Sequence, residues 1–307
     1  MVEPAAAQPL EEVKVATTFL GLWDTSQPTL CAERGEFQKA GLDVKVTSTR
    51  GGSDNVQAVV AGGMDIGYSP GINSVLAAGL QGAPIKVISA EFRGQNDSFF
   101  YVKADSPIKG IEDLGGKTVA YSRPGGASEA ILLALMADRK IDLKPVTGGA
   151  MDATYTMAMT GQIDVGYAVP PTMLKEAQEG KIRVIFSGDD IESQRGITQR
   201  VIIASNDFVA KRRDVAAKFL EVLDRCIDWA YANPEKSLEF YAKLNKVDAD
   251  IAKKGMEFYK RETLAFGPLL ELEQSVDQAV SGKFIKEKPT KEQIDGLVQI
   301  LYTTPAK

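Results

Sequence analysis

Hydrophobic and polar residues in the first part of the chain alternate with two different periods. Segments with a period of two predict β-strands, and segments whose apolar residues recur every three or four positions predict helices. The predicted strands lie at 13–19, 42–48 and 64–68. The first predicted helix begins after a cap at Thr25 or Ser26, has Pro28 in its first turn and ends at about Ala40. A second, short helix is predicted over 56–61. Strands and helices that alternate in this way form βαβ units around a parallel sheet.

A second copy of this unit follows at a constant offset. Gly62–Tyr68 returns 99 positions later as Gly161–Tyr167, and the register between these anchors holds without a gap. The second copy predicts strands at 117–121, 143–146 and 163–167, and helices at 129–139 and 152–160. Two copies of one α/β unit predict two similar lobes, and the cleft between two lobes is a place where small ligands bind.

Two extended segments break the repeat, and helices dominate the rest of the chain. We expect the segments 98–103 and 200–205 to cross between the lobes. Helices are predicted over 208–232, from Pro234, after Asp248, and at the end of the chain, where Thr290 and Gln293 have the spacing of a capping box. The predicted fold class is α/β, with two lobes that each contain a mixed sheet flanked by helices. The predicted division is 1–102 plus 200–307 for lobe 1, which includes the C-terminal helices, and 103–199 for lobe 2.

The composition is that of a soluble globular protein long enough for two domains, with 307 residues, 44% hydrophobic and 25% charged. A net charge of −5 without clustered basic residues argues against a nucleic-acid partner, and no apolar run is long enough to span a membrane. The chain has no histidine, which excludes Ser-His-Asp and Cys-His nucleophiles and histidine zinc sites. We therefore expect a protein that is not an enzyme and has no metal or other cofactor.

The two cysteines, Cys31 and Cys226, each lie within a helical pattern, and we interpret them as buried free thiols that act as small hydrophobic residues. A disulfide between them stays open as an alternative, because a sequence does not show which residues are close in space. The first nine residues are small, polar and rich in proline. They are typical of a mature start after removal of a signal peptide, although a cytosolic tail would have the same composition.

Three stretches of the chain resemble the nitrate/sulfonate/taurine and pyrimidine-precursor types of periplasmic substrate-binding protein. They are Val59–Tyr68 in the first copy, Ser106–Ala120 between the copies, and Ser205–Lys211 before the C-terminal helices, and the pattern of Trp229 with Asn233-Pro234 is similar as well. The resemblance covers essentially the whole chain. It implies a type II two-lobe binding protein that delivers a small solute to an ABC importer, with the solute held by loops at the carboxyl ends of strands, as in other open α/β sheets.

Glycine turns at the starts of helices expose backbone N–H groups at the positive end of the helix dipole, and this favours an anion. Gly52-Ser53 in the first copy and Gly125-Gly126 in the second have this form, and Ser128 is predicted to cap the helix that follows. Arg123, in the same loop, is expected to pair with a carboxylate or sulfonate, and Arg93 is expected to approach from the other lobe. Solvated surface charge is the alternative for these two arginines and for Arg50.

Aromatic residues near the strand ends predict a second kind of contact with the ligand. Trp23, beside Asp24, and Phe92 are expected to stack on a flat ligand, and packing within its own lobe is the alternative for Trp23. Tyr68 and Tyr167 are duplicated, which favours an architectural role, and only Tyr167 is included in the predicted site. The complete set of predicted ligand-binding residues is Trp23, Asp24, Arg50, Gly52, Ser53, Ser69, Asn73, Phe92, Arg93, Arg123, Gly125, Ser128 and Tyr167.

Two further features are predicted to be structural. Asp65 and Asp164 are duplicated, and we interpret them as acceptors for turn amides rather than as ligand contacts. The loop Arg123–Ser128 lacks the Walker lysine and the dinucleotide spacing, so we expect no nucleotide.

The function predicted from these features is that of a monomeric extracytoplasmic solute-binding protein, either periplasmic or lipid-anchored outside the inner membrane. Its expected partners are a small organic anion in the cleft, a sulfonate or carboxylate with or without an aromatic ring, and an ABC permease at the membrane. A neutral heteroaromatic such as a pyrimidine precursor is the alternative ligand. The alternative from another class is an enzyme on the same fold, of the pyrimidine-synthase or menaquinone-pathway-lyase type. The synthases consume an internal histidine and carry a cysteine-rich iron motif, and this chain has neither.

Overall fold

The structure is a computed structural model that describes residues 9–306, so the predicted mature start lies, apart from Pro9, outside the described residues. The strands are β1 Glu11–Thr18, β2 Leu42–Thr49, β3 Ile66–Gly71, β4 Ile85–Arg93, β5 Phe99–Lys103, β6 Thr118–Tyr121, β7 Lys144–Thr147, β8 Gly166–Ala168, β9 Ile182–Ser187 and β10 Thr198–Ser205. The α-helices are α1 Trp23–Glu33, α2 Glu36–Lys39, α3 Gly52–Val60, α4 Ile72–Leu80, α5 Ala127–Arg139, α6 Met151–Met159, α7 Leu174–Gln178, α8 Asn206–Ala232, α9 Pro234–Asn245, α10 Ala249–Glu257, α11 Leu272–Ser281 and α12 Lys291–Leu297. None of these helices is long and apolar enough to cross a membrane.

The first sheet contains five strands in the order β2-β1-β3-β10-β4, and helices cover both of its faces. β1 runs parallel to β2 and β3, whereas β10 runs antiparallel to β3 and β4. Alternate residues of β10 enter different cores, because side chains of a strand point to opposite faces. Ile202 packs with α1 and α8 residues such as Phe219, whereas Ile203 packs with α4 and α11 residues such as Val75.

The second sheet repeats the arrangement of the first. β6 pairs in parallel with β7, β5 pairs antiparallel with β8 and β9, and a parallel bridge between Val119 and Val165 joins β6 to β8. The resulting order, β7-β6-β8-β5-β9, matches β2-β1-β3-β10-β4 strand for strand. This confirms that the sequence repeat is a repeat of the fold, with two mixed sheets flanked by helices.

The duplicated aspartates occupy equivalent structural positions in the two sheets. Asp65 Oδ2 accepts a hydrogen bond from the backbone N–H of Lys14 at 2.8 Å, and Asp164 Oδ2 accepts one from the backbone N–H of Thr118 at 2.8 Å. Burial pushes the pKa of Asp164 upward, but the hydrogen bonds from Thr118 outweigh it and lower the pKa. Both carboxylates therefore have the structural role that the sequence predicts, although the backbone amides that they bind belong to neighbouring strands rather than to turns.

The two extended segments predicted as crossings are strands within the sheets. Residues 99–103 form β5 of the second sheet, and residues 200–205 belong to β10 of the first. The chain therefore passes between the sheets before Phe99 and again in the short turns between β9 and β10. The pattern was misread because a fully buried strand and an extended linker have the same apolar composition. The division of the chain into two lobes stays a prediction. Residues 99–102, which the prediction assigns to lobe 1, pair with strands of the second sheet.

The C-terminal helices pack mostly around the first sheet. α8 contacts α1, α2 and β10, and α9 contacts α1 and α8. α11 and α12 contact α4, on the opposite face. α10 is the exception, because it bridges α9 to α7 of the second unit. The predicted capping box is present, since Thr290 Oγ1 accepts from the N–H of Gln293 while the Gln293 side chain accepts from the N–H of Thr290.

The first helix differs from its prediction at both ends. α1 begins at Trp23 rather than after a cap at Thr25 or Ser26, and Pro28 lies inside it. Thr25 and Ser26 are buried, and their hydroxyls donate to the carbonyl oxygens of Phe19 and Trp23 instead of capping the helix. The helix stops before Gly35, whose positive φ of 71° redirects the chain into the short α2.

The prediction of two free thiols is wrong, because Cys31 and Cys226 form a disulfide. Their Cα atoms are 5.7 Å apart, although 195 positions separate them in sequence. α1 packs on α8, and this packing brings the two buried residues together. The disulfide therefore ties the start of the first unit to the C-terminal helices.

Candidate functional site

A cleft with about 760 Å³ of empty space, part of it open to solvent, lies between the two sheets. The first unit contributes the ends of β1 and β3 and the starts of α3 and α4, and the second contributes the loop after β6 and the start of α5. The residues that line this cleft are Thr18, Phe19, Leu22, Gly51, Gly52, Ser53, Ser69, Gly71, Ser74, Ser98, Ser122, Arg123, Gly126, Ala127, Ser128, Met151, Tyr167, Val169 and Arg200.

Four helices begin at this cleft, and none of them has a side-chain cap. The helices are α3, α4, α5 and α6, and the residues at their capping positions are Gly51, Gly71, Gly126 and Ala150. Glycine and alanine have no side-chain acceptor, so the first-turn N–H groups are left for another partner. Four helix N-termini therefore converge on one space. The first turn of α4 contains no acidic residue, whereas Asp54, Glu129 and Asp152 partly offset the positive ends of α3, α5 and α6. The backbone N–H groups left at these ends favour a negatively charged group.

The polar walls of the cleft consist mainly of hydroxyl groups. They belong to Thr18, Ser53, Ser69, Ser74, Ser98, Ser122, Ser128 and Tyr167. The Tyr167 hydroxyl donates to the carbonyl oxygen of Gly149 at 2.7 Å, and Ser128 Oγ accepts from the N–H of Ser122 at 2.9 Å. Hydroxyl groups both donate and accept hydrogen bonds, so this lining fits the oxygen atoms of a polar ligand.

The two walls of the cleft are in contact with each other. Ser74 Oγ, on α4, donates to the carbonyl oxygen of Gly125 in the second unit at 2.9 Å. Arg123 Nη1, also in the second unit, lies 3.4 Å from Asp54 Oδ1 on α3. These contacts define a closed arrangement of the two units.

The floor of the cleft contains the buried Arg200. Its Nη1 donates to Asp24 Oδ2 at 2.7 Å, and its Nη2 donates to Asp97 Oδ2. Burial lowers the pKa of Arg200, but the carboxylates of Asp97 and Asp24 outweigh burial and raise it well above the usual value. Burial raises the pKa of Asp24, and Arg200 only partly opposes this. Arg200 therefore places a positive charge at the floor of the cleft, and the carboxylates of Asp24 and Asp97 already balance this charge.

A second buried acid, Glu91, lies near Asp24, and the hydroxyl groups of Ser69 and Tyr68 lie beside its carboxyl group without ideal hydrogen-bond geometry. Burial is the main cause that raises its pKa well above the usual 4.5, and the nearby Asp24 adds to this. A carboxylic acid in this environment is favoured in its neutral, protonated form.

We expect Glu91→Gln to make the folded protein more stable at high pH. Because the folded pKa is raised, the stability that Glu91 contributes is complete below its usual pKa and is lost as the pH rises towards the folded value. Glutamine cannot ionise, so the advantage of the variant should grow by at least about 1 kcal/mol between about pH 5 and pH 8 in urea unfolding. The exposed Glu239→Gln is the matched control and should follow the wild type. Parallel pH profiles for Glu91→Gln and the wild type would contradict a neutral Glu91.

Two residues of the cleft have a positive φ although they are not glycine. Phe19 has a φ of 48° and Ser69 a φ of 68°, and both line the cleft. A non-glycine residue in this region costs free energy and persists where the surrounding structure holds it in place. Ser69 Oγ is held at 3.3 Å from Asp24 Oδ2, so the buried acid network also fixes the shape of the wall.

Six of the predicted ligand-binding residues line the cleft. They are Gly52, Ser53, Ser69, Arg123, Ser128 and Tyr167. Ser128 is not the predicted helix cap, because α5 begins one residue earlier and the capping position is Gly126. Arg50 lies outside the cleft, in an adjoining space nearer the surface.

Trp23 and Phe92 are buried in the core of the first unit, which corrects the prediction that they stack on a ligand in the cleft. Trp23 is only 1% exposed, and its Nε1 donates to the hydroxyl of Tyr231 at 3.0 Å. The Phe92 ring lies 4.6 Å beneath the Arg200 guanidinium, where it supports the floor. Trp23 therefore packs within its own lobe, which was the alternative to a contact with the ligand.

The remaining four predicted residues lie behind the walls of the cleft. Asp24 and Asn73 are buried, and Asp24 acts through Arg200. Gly125 contributes the carbonyl oxygen that Ser74 binds across the cleft. Arg93 is half-buried at the end of β4 and does not reach the cleft, which corrects its predicted approach to the ligand. Burial lowers the pKa of Arg93.

Sequence reasoning missed Arg200 and the cleft hydroxyl groups of Thr18, Ser74, Ser98 and Ser122. A sequence signal for Arg200 was present, because an arginine stands immediately before the apolar run of β10 and a charge within a buried strand needs a partner. Ser74 and Ser98 had no such signal. Their roles depend on how α4 and β5 meet the facing unit.

The fold is that of the periplasmic binding proteins, a class of two-lobed proteins. The alkanesulfonate-binding protein SsuA from Xanthomonas axonopodis pv. citri, solved with MOPS bound, has the same fold, with a TM-score of 0.78 and 14% sequence identity. The match covers 96% of this chain and 100% of the SsuA chain. The sequence model of the NMT1/THI5-like family matches residues 28–237. The chain belongs to the NMT1/THI5-like family.

Relatives in sequence include both binding proteins and enzymes. A protein of Brucella abortus (strain 2308) that is named only as a binding protein is 29% identical over 74% of this chain and 69% of its own length. The 4-amino-5-hydroxymethyl-2-methylpyrimidine phosphate synthase THI13 of Saccharomyces cerevisiae is 24% identical over 73% of this chain and 69% of its own. The fold and the binding-protein relatives are consistent with a role in solute binding.

Proposed function

We propose that this protein binds a small organic anion, a sulfonate or a carboxylate, in the cleft and delivers it to an ABC importer. The observation that carries the proposal is the convergence of four helix N-termini without side-chain caps on one hydroxyl-lined space. An acidic group there would accept hydrogen bonds from backbone N–H groups and serine hydroxyls of both units.

The helix ends supply the favourable charge that the ionisable side chains of the cleft do not. Arg200 is balanced by Asp24 and Asp97, and Arg123 is paired with Asp54. A helix N-terminus stabilises a nearby anion by about 0.3–1 kcal/mol when exposed and up to about 2 kcal/mol when partly buried. Several such ends act together on one acidic group, and the hydrogen bonds from backbone N–H groups and serine hydroxyls add to their effect.

A ligand in this position also favours the closed arrangement. The starts of α3 and α4 belong to one unit and the starts of α5 and α6 to the other, so a single acidic group contacts both. A ligand shifts a conformational equilibrium only by the difference in its affinity for the two states. Contacts from both units exist only when the cleft is closed, and the closed form is the form that we propose is presented to the permease.

The second candidate ligand is a neutral heteroaromatic such as a pyrimidine precursor. The balanced charge of Arg200 favours it, as do the apolar side chains of Phe19 and Leu22 from the first unit and Met151 from the second. The anion is the better fit because a neutral ring leaves the positive helix ends without a charged partner.

We further propose that the protein releases its solute unchanged, and that it acts outside the cytoplasm as a monomer after loss of a signal peptide. The lack of histidine argues against the internal-histidine chemistry of the pyrimidine synthases. The disulfide between Cys31 and Cys226 supports an extracytoplasmic location, because disulfides persist in oxidising compartments and are rare in the cytosol.

We expect Ser53→Asp to weaken anion binding about ten- to a hundredfold while the fold stays stable. Ser53 lies in the first turn of α3 at the cleft, where a carboxylate is favourable for the helix but repels a bound anion. Ser53→Asn has nearly the same shape without the charge, so it is the matched control. Calorimetric titration of both variants with a bound sulfonate or carboxylate measures the effect. Equal affinities for the Asp and Asn variants would contradict an anion site at this helix end.

A further inference from the structure

We propose that the natural ligand is an acid with two ends, whose second acidic group lies in an outer compartment of the cleft between Arg50 and Arg123. This inference rests on the proposed function, because it extends the same site from the inner cleft towards the surface. It narrows the substrate class from small organic anions to linear acids that carry a second anionic group.

The outer compartment continues directly from the inner cleft. It has about 860 Å³ of empty space, part of it open to solvent, and it shares Phe19, Leu22, Arg123 and Met151 with the inner cleft. Three of these four shared residues are apolar, so the passage between the compartments suits methylene groups rather than a charge. A ligand with a polar head inside and an aliphatic linker in the passage would present its other end to the outer compartment.

The charged groups of the outer compartment are unbalanced. Arg50 Nε lies 3.3 Å from Asp54 Oδ2, and Arg123 Nη1 lies 3.4 Å from Asp54 Oδ1. Two guanidinium groups, one from each unit, thus share one carboxylate in the part of the chain that the structure describes, which leaves one net positive charge. A second acidic group of the ligand would balance it, and the fork of N–H donors on each arginine suits a carboxylate or sulfonate.

The backbone of the second unit adds to the positive character of this compartment. Gly149, Ala150 and Met151 line it, and they lead into the uncapped start of α6, where the exposed Asp152 offsets part of the positive end. The side chain of Arg50 is 83% exposed, so in the absence of a ligand its pairing with Asp54 is weak. An acidic group that reaches both arginines would link the two units and shield this contact from water.

Calorimetric titration with matched pairs of ligands tests the proposal. The probes are linear alkanesulfonates and the α,ω-disulfonates of the same chain length, from ethane to hexane, with the corresponding mono- and dicarboxylates. We expect one chain length at which the two-ended acid binds about five- to thirtyfold more tightly than its one-ended partner. Arg50→Gln and Arg123→Gln should each reduce this preference, and Arg225→Gln, which removes an exposed arginine on α8, should leave it unchanged.

Three results would overturn the proposal. Equal affinity of one-ended and two-ended acids at every chain length, with clear binding of both, would refute the second site and leave the proposed function intact. A preference that persists in both Arg50→Gln and Arg123→Gln would place the second group elsewhere. No binding of any acid by folded protein would refute the proposed function together with this extension.

Discussion

Replacing Arg200 with methionine should lower the free energy of unfolding by about 3–5 kcal/mol, because it leaves two buried carboxyl groups without their positively charged partner. Asp24 and Asp97 are both completely buried, and each accepts a hydrogen bond from the Arg200 guanidinium. A buried charge that loses its partner keeps the cost of its removal from water and loses the compensating attraction. The loss should reach the cleft as well, because Arg200 forms its floor and Asp24 holds Ser69.

The control is the triple variant Arg200→Met, Asp24→Asn and Asp97→Asn, which removes the charges together. Removing the three charges together leaves no unpaired buried charge, so the triple variant should recover part of the loss. Urea unfolding of the wild type, the single variant and the triple variant measures both effects. A single variant within about 1 kcal/mol of the wild type would contradict the account, because so small a cost is typical of an exposed ion pair.

Removing the disulfide with Cys31→Ala and Cys226→Ala should lower the free energy of unfolding by about 2–5 kcal/mol, towards the upper end of that range. The bond closes a loop between residues 195 positions apart, and constraint of the unfolded chain grows with loop length. It also holds α1 on α8, on the side of the first sheet away from α4. Affinity for the ligand should therefore change little.

Reduction of the wild type provides an independent check of the disulfide. Wild-type protein unfolded in the presence of a thiol reductant should match the double alanine variant, and the variant itself should not respond to the reductant. Denaturant unfolding with calorimetric titration of the same samples separates stability from binding. A double variant as stable as the oxidised wild type would show that the bond contributes nothing to the folded state.

Most of the fold could be predicted from the sequence repeat and from the alternation of hydrophobic and polar residues. Strand and helix order, the two similar sheets and the structural role of Asp65 and Asp164 follow from local patterns. The disulfide did not follow from them, because the meeting of Cys31 and Cys226 depends on the packing of α1 against α8. The segments 98–103 and 200–205 were misread because a linker and a central strand share the same apolar composition.

The part of the site that could be predicted lies mainly at the glycine-rich starts of helices. The helix starts at Gly52 and Gly126 were visible as glycine turns, and they line the cleft. Trp23 and Phe92 were misplaced, because sequence position near a strand end does not tell which face of the sheet a side chain covers. Arg200 was missed since its partners, Asp24 and Asp97, come from distant parts of the chain.

The most direct test of the central claim is calorimetric titration of the ligand-free wild type with acids and their neutral isosteres. Matched pairs are an alkanesulfonate with the corresponding sulfonamide, and a carboxylate with the corresponding carboxamide. If the helix starts of the cleft bind an anion, the acid of at least one pair should bind at least about tenfold more tightly than its neutral partner, and Ser53→Asp should abolish the difference. Tighter binding of the neutral partner in every pair, or binding only of neutral heteroaromatic rings, would contradict an anion-binding function.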